Sequence, residues 1–247
     1  DAILVLGEDL THVAPRIALA LRQSVRNLAY KMAAELRLQP WQDAAIRNLA
    51  QDQRSPLHIV AGFETALADV AASNTCKTPA EQIAFATQIE GSLAGGGEGG
   101  LCRQIAADLQ AAERPLVICG TNANEAMIDT AASIAAQLCQ QCKPTMLSYS
   151  FNECNSVGVS LLSSDNCSSL KQLTERAQAG EIDTLLIMEN DLFRRAEKDQ
   201  VEQLLQAVDC CIGLDCLEQA TLEHCDWVLP SATFTDSEGT LVSSEGR

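Results

Sequence analysis

The 247-residue sequence is poor in basic residues and has no long apolar run. Seventeen Lys and Arg stand against thirty-three Asp and Glu, which gives a formal net charge of −16. This charge repels phosphate backbones and anionic lipid, so nucleic acid is not expected as a partner. No stretch reaches the ~20 apolar residues of a membrane helix, and no basic-then-apolar leader is present. We therefore expect a soluble protein without direct membrane contact.

Aromatic residues are also scarce, at 4%, although 47% of the residues are hydrophobic. This composition favours close helix packing over a β-sandwich. The eleven cysteines are odd in number and irregularly spaced, which is not typical of the disulfide framework of a small secreted domain. The cysteines therefore predict a reducing cytoplasm.

Several short apolar runs are each followed by helical periodicity, as buried strands that lead into helices would be. The clearest runs are residues 1–7, 114–120, 183–189, 210–215 and 227–230, and further candidates are residues 57–61 and 144–149. Continuous apolar strands separated by helices predict an α/β fold with a parallel, doubly wound, Rossmann-like sheet covered on both faces.

Two segments depart from this alternation. Residues 41–93 have a mostly helical pattern and are predicted to form a helical layer inserted into the sheet. Residues 94–100 are rich in glycine and predict a flexible connection rather than a domain boundary. We therefore predict one α/β domain over residues 1–247.

Polar residues follow the predicted strands, at the edge where doubly wound sheets bind ligands. These positions are Gly7, Glu8, Asp9, Thr11, Gly120, Thr121, Asn122, Glu189, Asn190, Asp191 and Asp215. Helix capping and turn chemistry account for such residues even when nothing binds there. On the residues alone, the structural interpretation is favoured over a binding site.

Two motifs could carry other chemistry, and each is better explained by structure. Gly95, Gly97 and Gly100 match the spacing of a dinucleotide fingerprint, but a predicted helix precedes them instead of the strand that this fingerprint needs. The three histidines show no catalytic pattern, because no serine or cysteine sits in a nucleophile elbow: His12, His58 and His224. We predict no catalytic residues.

The cysteines leave a metal or iron–sulfur site open as a further hypothesis. The candidate ligands are Cys139, Cys142, Cys210, Cys211, Cys216 and Cys225. The pair Cys139 and Cys142 follows a helix end, and adjacent residues of a strand, such as Cys210 and Cys211, point to opposite faces. The favoured interpretation is small core residues and no metal.

A resemblance to a known family covers nearly the whole chain. Residues 226–247, DWVLPSATFTDSEGTLVSSEGR, resemble the D-x-V-L-P … E-G-T … N-x-E-G-R signature of the molybdopterin oxidoreductases. Residues 3–11 (ILVLGEDLT), 115–123 (PLVICGTNA), 155–158 (NSVG) and 186–192 (LIMENDL) look like the branch formed by the large peripheral-arm subunit of bacterial NADH:quinone oxidoreductases, respiratory complex I.

The resemblance implies a fold of the formate dehydrogenase and DMSO reductase type. It also implies that the chain is a fragment, because subunits of this branch carry iron–sulfur segments before this region. Iron–sulfur clusters are therefore expected in the missing N-terminal part. The implied partners are other peripheral-arm subunits and the missing parts of the same chain, on the cytoplasmic face of the inner membrane. The resemblance thus places the chain in respiratory electron transport from NADH to quinone.

The chain departs from the family pattern where a pterin would bind. Gly7-Glu8-Asp9 stands where cofactor-binding members have Gly-x-Asn-Pro, and the Asn of the terminal signature is replaced within Ser243-Ser244-Glu245. We expect a structural and interaction domain without a cofactor, inactive by itself. The alternative is a fragment of a molybdopterin-dependent oxidoreductase, similar to formate dehydrogenase, whose strand-end loops bind a pterin dinucleotide.

Overall fold

A computed structural model describes residues 1–96, 100–121, 125–141, 144–151, 153–163 and 167–243. The chain divides into two compact units, Asp1–Ser156 and Val157–Val242, with Ser243 grouped with the first. Each unit is built around its own parallel sheet. The predicted α/β class with parallel strands is confirmed.

The first unit contains a five-stranded sheet and seven helices in its described residues. Its strands are β1 (Ala2–Leu6), β2 (Leu57–Ala61), β3 (Ser73–Cys76), β4 (Pro115–Gly120) and β5 (Met146–Ser150). Its helices are α1 (Leu10–Val13), α2 (Pro15–Ser24), α3 (Asn27–Glu35), α4 (Asp43–Ala50), α5 (Pro79–Leu93), α6 (Gly100–Ala111) and α7 (Glu125–Gln140). A further helix, α8 (Ser156–Leu162), begins at the last residue of this unit.

The order of the strands in this sheet is β3-β2-β1-β4-β5, and all neighbours are parallel. The order runs outward from β1 in one direction and then resumes on its other side with β4. Right-handed crossovers therefore place helices on both faces of the sheet. The reversal makes the gap between β1 and β4 the topological switch point.

Both faces of β1 are buried in consequence. Leu4 and Leu6 pack beneath α5, α6 and α7 on one face. Ile3 and Val5 pack beneath α2 on the other face, where Leu21 contributes to the same cluster. A strand buried on both sides needs apolar residues at successive positions, which explains the uninterrupted run from residue 2 to residue 6.

Residues 41–93 contain more than the predicted helical layer. They hold α4 and α5, but β2 and β3 lie between these helices, so the segment supplies two strands of the sheet rather than interrupting it. β2 matches the candidate strand 57–61, whereas the sequence pattern does not indicate β3. Its sequence, SNTC, has no apolar run because β3 is an edge strand with half-exposed residues.

The second unit contains a three-stranded parallel sheet in the order β6-β7-β8. Its elements are α9 (Leu170–Gln178), β6 (Thr184–Met188), a 3₁₀ helix (Leu192–Arg194), α10 (Lys198–Gln206), β7 (Cys210–Asp215), a second 3₁₀ helix (Ala220–His224) and β8 (Trp227–Pro230). Leu185, Ile187 and Cys211 pack against α9 and α10 on one face. Among the described residues, no helix covers the opposite face, so covering on both faces holds only for the first sheet.

Candidate functional site

The switch point of the first sheet is the position at which doubly wound proteins bind ligands. The register pairs Leu6 of β1 with Cys119 of β4, so the residues that follow these two strands emerge side by side. Gly7 has a φ of 74°, which turns the chain sharply away from β1 and is a conformation that glycine adopts without strain. The next residue, Glu8, is thereby directed to the end of β4.

The side chain of Glu8 lies directly against Gly120. A Cβ atom built on Gly120 would lie 2.8 Å from the Cβ and 2.8 Å from the Oε2 of Glu8, so only glycine fits at the end of β4. The Oε1 of Glu8 accepts a hydrogen bond of 3.0 Å from the backbone N–H of Asp9. Its Oε2 is buried and has no hydrogen-bond partner within the described parts of the chain. Burial, with the neighbouring Asp9 charge, raises the pKa of the Glu8 carboxyl.

The other predicted positions in this unit serve caps and turns. Asp9 is the N-cap of α1 and accepts from the Thr11 N–H at 3.0 Å and the Thr11 hydroxyl at 2.6 Å. The backbone N–H and the hydroxyl of Thr121 both donate to the carbonyl oxygen of Ser150, each at 3.0 Å, which ties the ends of β4 and β5 together. Asn122 lies outside the described residues.

In the second unit, the strand-end acids are also engaged locally. Asp191 accepts from the Thr221 hydroxyl at 2.7 Å and from the Phe193 N–H at 3.3 Å, and it caps a 3₁₀ helix. Asp215 accepts from the Leu217 N–H at 3.0 Å and from the Gln219 side-chain amide at 2.6 Å. These hydrogen bonds are the capping and turn chemistry that the sequence predicts.

Glu189 and Asn190, the remaining predicted positions, complete the turn after β6. Glu189 has a φ of 48°, which non-glycine residues rarely adopt, and its N–H donates to the Leu214 carbonyl at 2.7 Å. Asn190 accepts from the Arg195 Nε at 3.1 Å. The predicted site residues thus form two groups, one at the strand ends of each unit.

Cavities near these strand ends are modest. Pockets of about 510 Å³ and 480 Å³ adjoin the segment after β1, the first lined by Asp9 and Thr65 and the second by Arg16 and Ser150. Asp215 lines a pocket of about 420 Å³ in the second unit. A larger pocket of about 600 Å³ lies at the opposite end of the first sheet, at the amino ends of the strands, where Asp1 precedes β1. Ligands of doubly wound sheets bind at the carboxyl ends of the strands, so this pocket is not the expected ligand site.

The sequence analysis did not identify a buried hydrogen-bond network around His58 in the first unit. His58 is 0% exposed, with Nδ1 2.8 Å from the Ser73 hydroxyl and Nε2 2.9 Å from Oδ2 of Asp108. Burial lowers the pKa of His58, although the hydrogen bond to Asp108 opposes this shift. These hydrogen bonds join β2, β3 and α6. Their role is to give both ring nitrogens of a buried histidine a hydrogen-bond partner. No local motif could reveal this network, because Asp108 is fifty residues from His58.

The cysteines do not assemble a metal centre in the described structure. Cys211 and Cys225 have their sulfur atoms 3.2 Å apart, and burial raises the pKa of Cys211. Burial and the nearby Glu8 charge raise the pKa of Cys119 to about 11. Cys139 is exposed, while its predicted partner Cys142 lies outside the described residues. In the described part of the chain, no group of three or more His, Cys, Asp or Glu could hold a metal ion.

Three further features of the sequence are the glycine-rich segment, the terminal signature and the lack of long apolar runs. The glycine-rich segment follows α5, so a helix and not a strand precedes it; Gly95 has a φ of 88° and Gly97 lies outside the described residues. Ser244 and Glu245 of the terminal signature also lie outside them. Within the ranges that the structure describes, none of the helices is both long and apolar enough to cross a membrane.

Comparisons with known proteins connect this geometry to a family. The sequence model of the molybdopterin oxidoreductase family matches residues 1–247. The chain is 38% identical to the NADH-quinone oxidoreductase subunit designated G from Pseudomonas fluorescens, 35% identical to its counterpart from Shewanella oneidensis and 34% identical to that from Escherichia coli K12. Each match covers 100% of this chain but only 28% of the relative. The chain therefore spans just over a quarter of the length of these relatives.

Proposed function

The chain belongs to the molybdopterin oxidoreductase family, and we propose that it is a cofactor-free structural and interaction module within the large peripheral-arm subunit of an NADH:quinone oxidoreductase. The relatives from Pseudomonas, Shewanella and Escherichia, which are named as a subunit of that enzyme, support the proposal. In that setting the intact complex passes electrons from NADH to quinone, and the module lies in the peripheral arm on the cytoplasmic side of the membrane. Its partners are other peripheral-arm subunits and the rest of its own polypeptide.

The position of Glu8 is the observation that supports the absence of a cofactor. A dinucleotide at the switch point would bring a doubly charged pyrophosphate to the space that the Glu8 side chain fills against Gly120. Two like charges ~4 Å apart repel by about 1 kcal/mol in water and by several kcal/mol in a partly buried site. No positive side chain donates to Glu8 among the described contacts. These residues do not fit a pterin dinucleotide.

The strand ends of the second unit support the same conclusion. The oxygens of Asp191 and Asp215 already accept hydrogen bonds from their own loops. A ligand that used these carboxylates would have to displace caps worth about 1 kcal/mol each. Because these carboxylates already accept the hydrogen bonds of caps and turns, we assign them a structural role.

The packing of the first sheet suits the module to mechanical support. The first sheet is buried on both faces, and Leu4 and Ile3 anchor the helices above and below it. A close-packed layer of this kind is rigid and holds its surface residues in fixed positions. We therefore propose that it braces the electron-carrying segments of its own chain against neighbouring subunits, while its own residues carry no electrons.

A deletion within the full-length subunit tests this proposal. Removing residues 1–247 should abolish co-purification of the subunit with the complex and abolish NADH:quinone activity in membranes. Glu8→Gln is the matched point variant, because it alters the crevice while keeping the size of the side chain. We expect Glu8→Gln membranes to retain the full NADH:quinone rate. A fully active enzyme after the deletion, or a several-fold loss of rate in Glu8→Gln, would contradict the proposed role.

A further inference from the structure

One face of the second sheet is apolar and exposed. Alternate residues point to the same side of a strand, and parallel partners in register share a face. The register pairs Leu186 with Ile212, Met188 with Leu214, Ile212 with Trp227, and Leu214 with Leu229. These six residues, Leu186, Met188, Ile212, Leu214, Trp227 and Leu229, form what we call the open face.

The exposure of the open face is large for a parallel sheet. Leu186 is 55% exposed, Met188 64% and Trp227 66%, whereas Leu185 and Ile187 on the other side of β6 are buried. Parallel sheets normally have both faces covered, and contiguous apolar patches of this kind mark interaction sites on soluble proteins. A cover for the open face is therefore expected.

The crossovers of this unit cannot provide that cover. The strands follow one another in the order β6-β7-β8 without a reversal, so right-handed crossovers place every connection on the same side. α10 joins β6 to β7 on the covered face. The 3₁₀ helix that joins β7 to β8 lies there too, because Leu222 and Cys225 approach Gly213, which points away from the open face. Among the described residues of this unit, no helix covers the open face, so its cover is expected from polypeptide outside the unit.

Charge makes a second copy of the unit an unsuitable cover. Residues 157–242 contain five Lys and Arg against sixteen Asp and Glu, a net charge of −11. Two copies meeting face to face would bring together two strongly negative surfaces, and such like-charge juxtaposition opposes association. The complementary occupant has an apolar stripe flanked by basic residues.

The length of the relatives supplies such polypeptide within the same chain. The 257 aligned residues are 28% of the Pseudomonas fluorescens relative, so most of a chain of that length lies outside residues 1–247. A segment of the same chain is held near the open face at an effective concentration on the order of millimolar, without the entropy loss of recruiting a separate protein. Covalent connection thus favours the same polypeptide over a different subunit.

We propose that the open face is the docking site for an amphipathic helical segment of the same polypeptide, one that lies outside residues 1–247. An apolar stripe with the i, i+3, i+4, i+7 spacing would lie across Leu186, Ile212 and Trp227, and flanking Lys or Arg would complement the net negative charge of residues 157–242. This proposal rests on the proposed function, since it takes the full chain to be as long as the relatives from the NADH-quinone oxidoreductases.

Site-specific photo-crosslinking in the full-length chain tests this proposal. A benzophenone amino acid is placed at Leu186, and the matched control carries it at Leu19 of α2, which is 57% exposed and lies in the first unit. After irradiation of the purified complex, mass spectrometry identifies the cross-linked peptides. We expect cross-links from Leu186 to residues of the same polypeptide outside 1–247, at a yield several-fold above that from Leu19.

Each other outcome overturns the proposal. Cross-links from Leu186 to another subunit, to residues 1–156, or to an isotope-labelled second copy would assign a different occupant. Labelling by solvent alone would show that the open face is not covered. The two proposals can fail separately: a full-length chain that does not co-purify with the complex contradicts the proposed function, whereas the same cross-link measured in that isolated full-length chain still decides the occupant.

Discussion

The two sheets of this chain are built from similar strands and differ in how they are covered. β1 and β6 are both five-residue parallel strands rich in Leu and Ile. All of β1 is buried, while β6 alternates between exposed and buried residues. The difference follows from strand order, because the first sheet reverses at β1 and the second does not reverse. Topology, more than composition, decides whether a parallel sheet can cover itself.

The largest expected difference lies between a buried leucine of the first sheet and an exposed leucine of the second. Leu4→Ala removes a fully buried side chain and should lower the free energy of unfolding of the first unit by about 3–5 kcal/mol. Leu186→Ala should change the stability of residues 1–247 by less than about 0.5 kcal/mol, because that side chain is 55% exposed. Urea unfolding of each variant measures both values. Similar losses of unfolding free energy in the two variants would refute the conclusion that the first sheet is covered on both faces and the second on one.

Glycines inside the strands give a second and smaller contrast. Gly120→Ala places a Cβ 2.8 Å from the Cβ of Glu8 and should destabilise the first unit by about 1–3 kcal/mol. Gly213→Ala meets the ends of the flexible Leu222 and Cys225 side chains, so the second unit should lose less. Chemical unfolding of the variants compares the two losses.

The control for this contrast is Gly91→Ala in α5, where the new Cβ would have no neighbour within 4 Å apart from the local backbone of its own helix and the adjacent residues. It should be neutral or stabilising by up to about 1 kcal/mol, because alanine has the higher helix propensity. Combining Gly120→Ala with Glu8→Ala should recover part of the loss. Strict additivity in this double-mutant cycle would show that the two residues do not interact.

A pH-dependent effect should be confined to the first unit. The folded pKa of His58 is lowered by burial, so the folded state disfavours the protonated imidazole. Its contribution to stability is present above the unfolded value of about 6.5 and is lost as the pH falls below that value. Thermal unfolding between pH 8 and pH 5 should show this loss in the parent and in His12→Gln, whose residue is exposed, but not in His58→Gln. A loss that persists in His58→Gln would assign it to other groups.

The smallest predicted effect concerns Glu8. Its raised pKa means that the folded state favours the protonated carboxyl, so stability falls as the pH rises through and above the unfolded value of about 4.5. Glu8→Gln should remove this dependence and gain stability relative to the parent between about pH 4 and pH 7. The measurement is a difference of unfolding free energies at each pH. A constant difference across this range would mean that the carboxyl is not buried as described.

Much of the fold could be predicted from the sequence because buried parallel strands leave a strong local pattern. The run at residues 2–6 and the run at residues 115–120 are apolar at nearly every position and match β1 and β4. β3 could not be found, since an edge strand of polar residues, SNTC, has no such pattern. Within residues 41–93, the candidate strand at residues 57–61 matches β2, so β3 is the strand that the sequence pattern does not indicate.

The candidate site was predictable in position but not in detail. Strand ends can be located from the apolar runs, and this identifies Glu8 and Asp191 as strand-end residues. The packing of Glu8 on Gly120 depends on atoms of two strands more than one hundred residues apart, and no single-sequence pattern encodes that distance. The separation into two sheets also depends on which strands pair, which local periodicity does not specify.

We propose that this member of the molybdopterin oxidoreductase family holds no pterin at its strand ends. The most direct test is the molybdenum and pterin content of the full-length protein purified with its complex, measured by elemental analysis and by fluorescence of the released pterin. We expect far less than one molybdenum and one pterin per chain. One equivalent of each, lost on disrupting the crevice with Gly120→Ala, would contradict it.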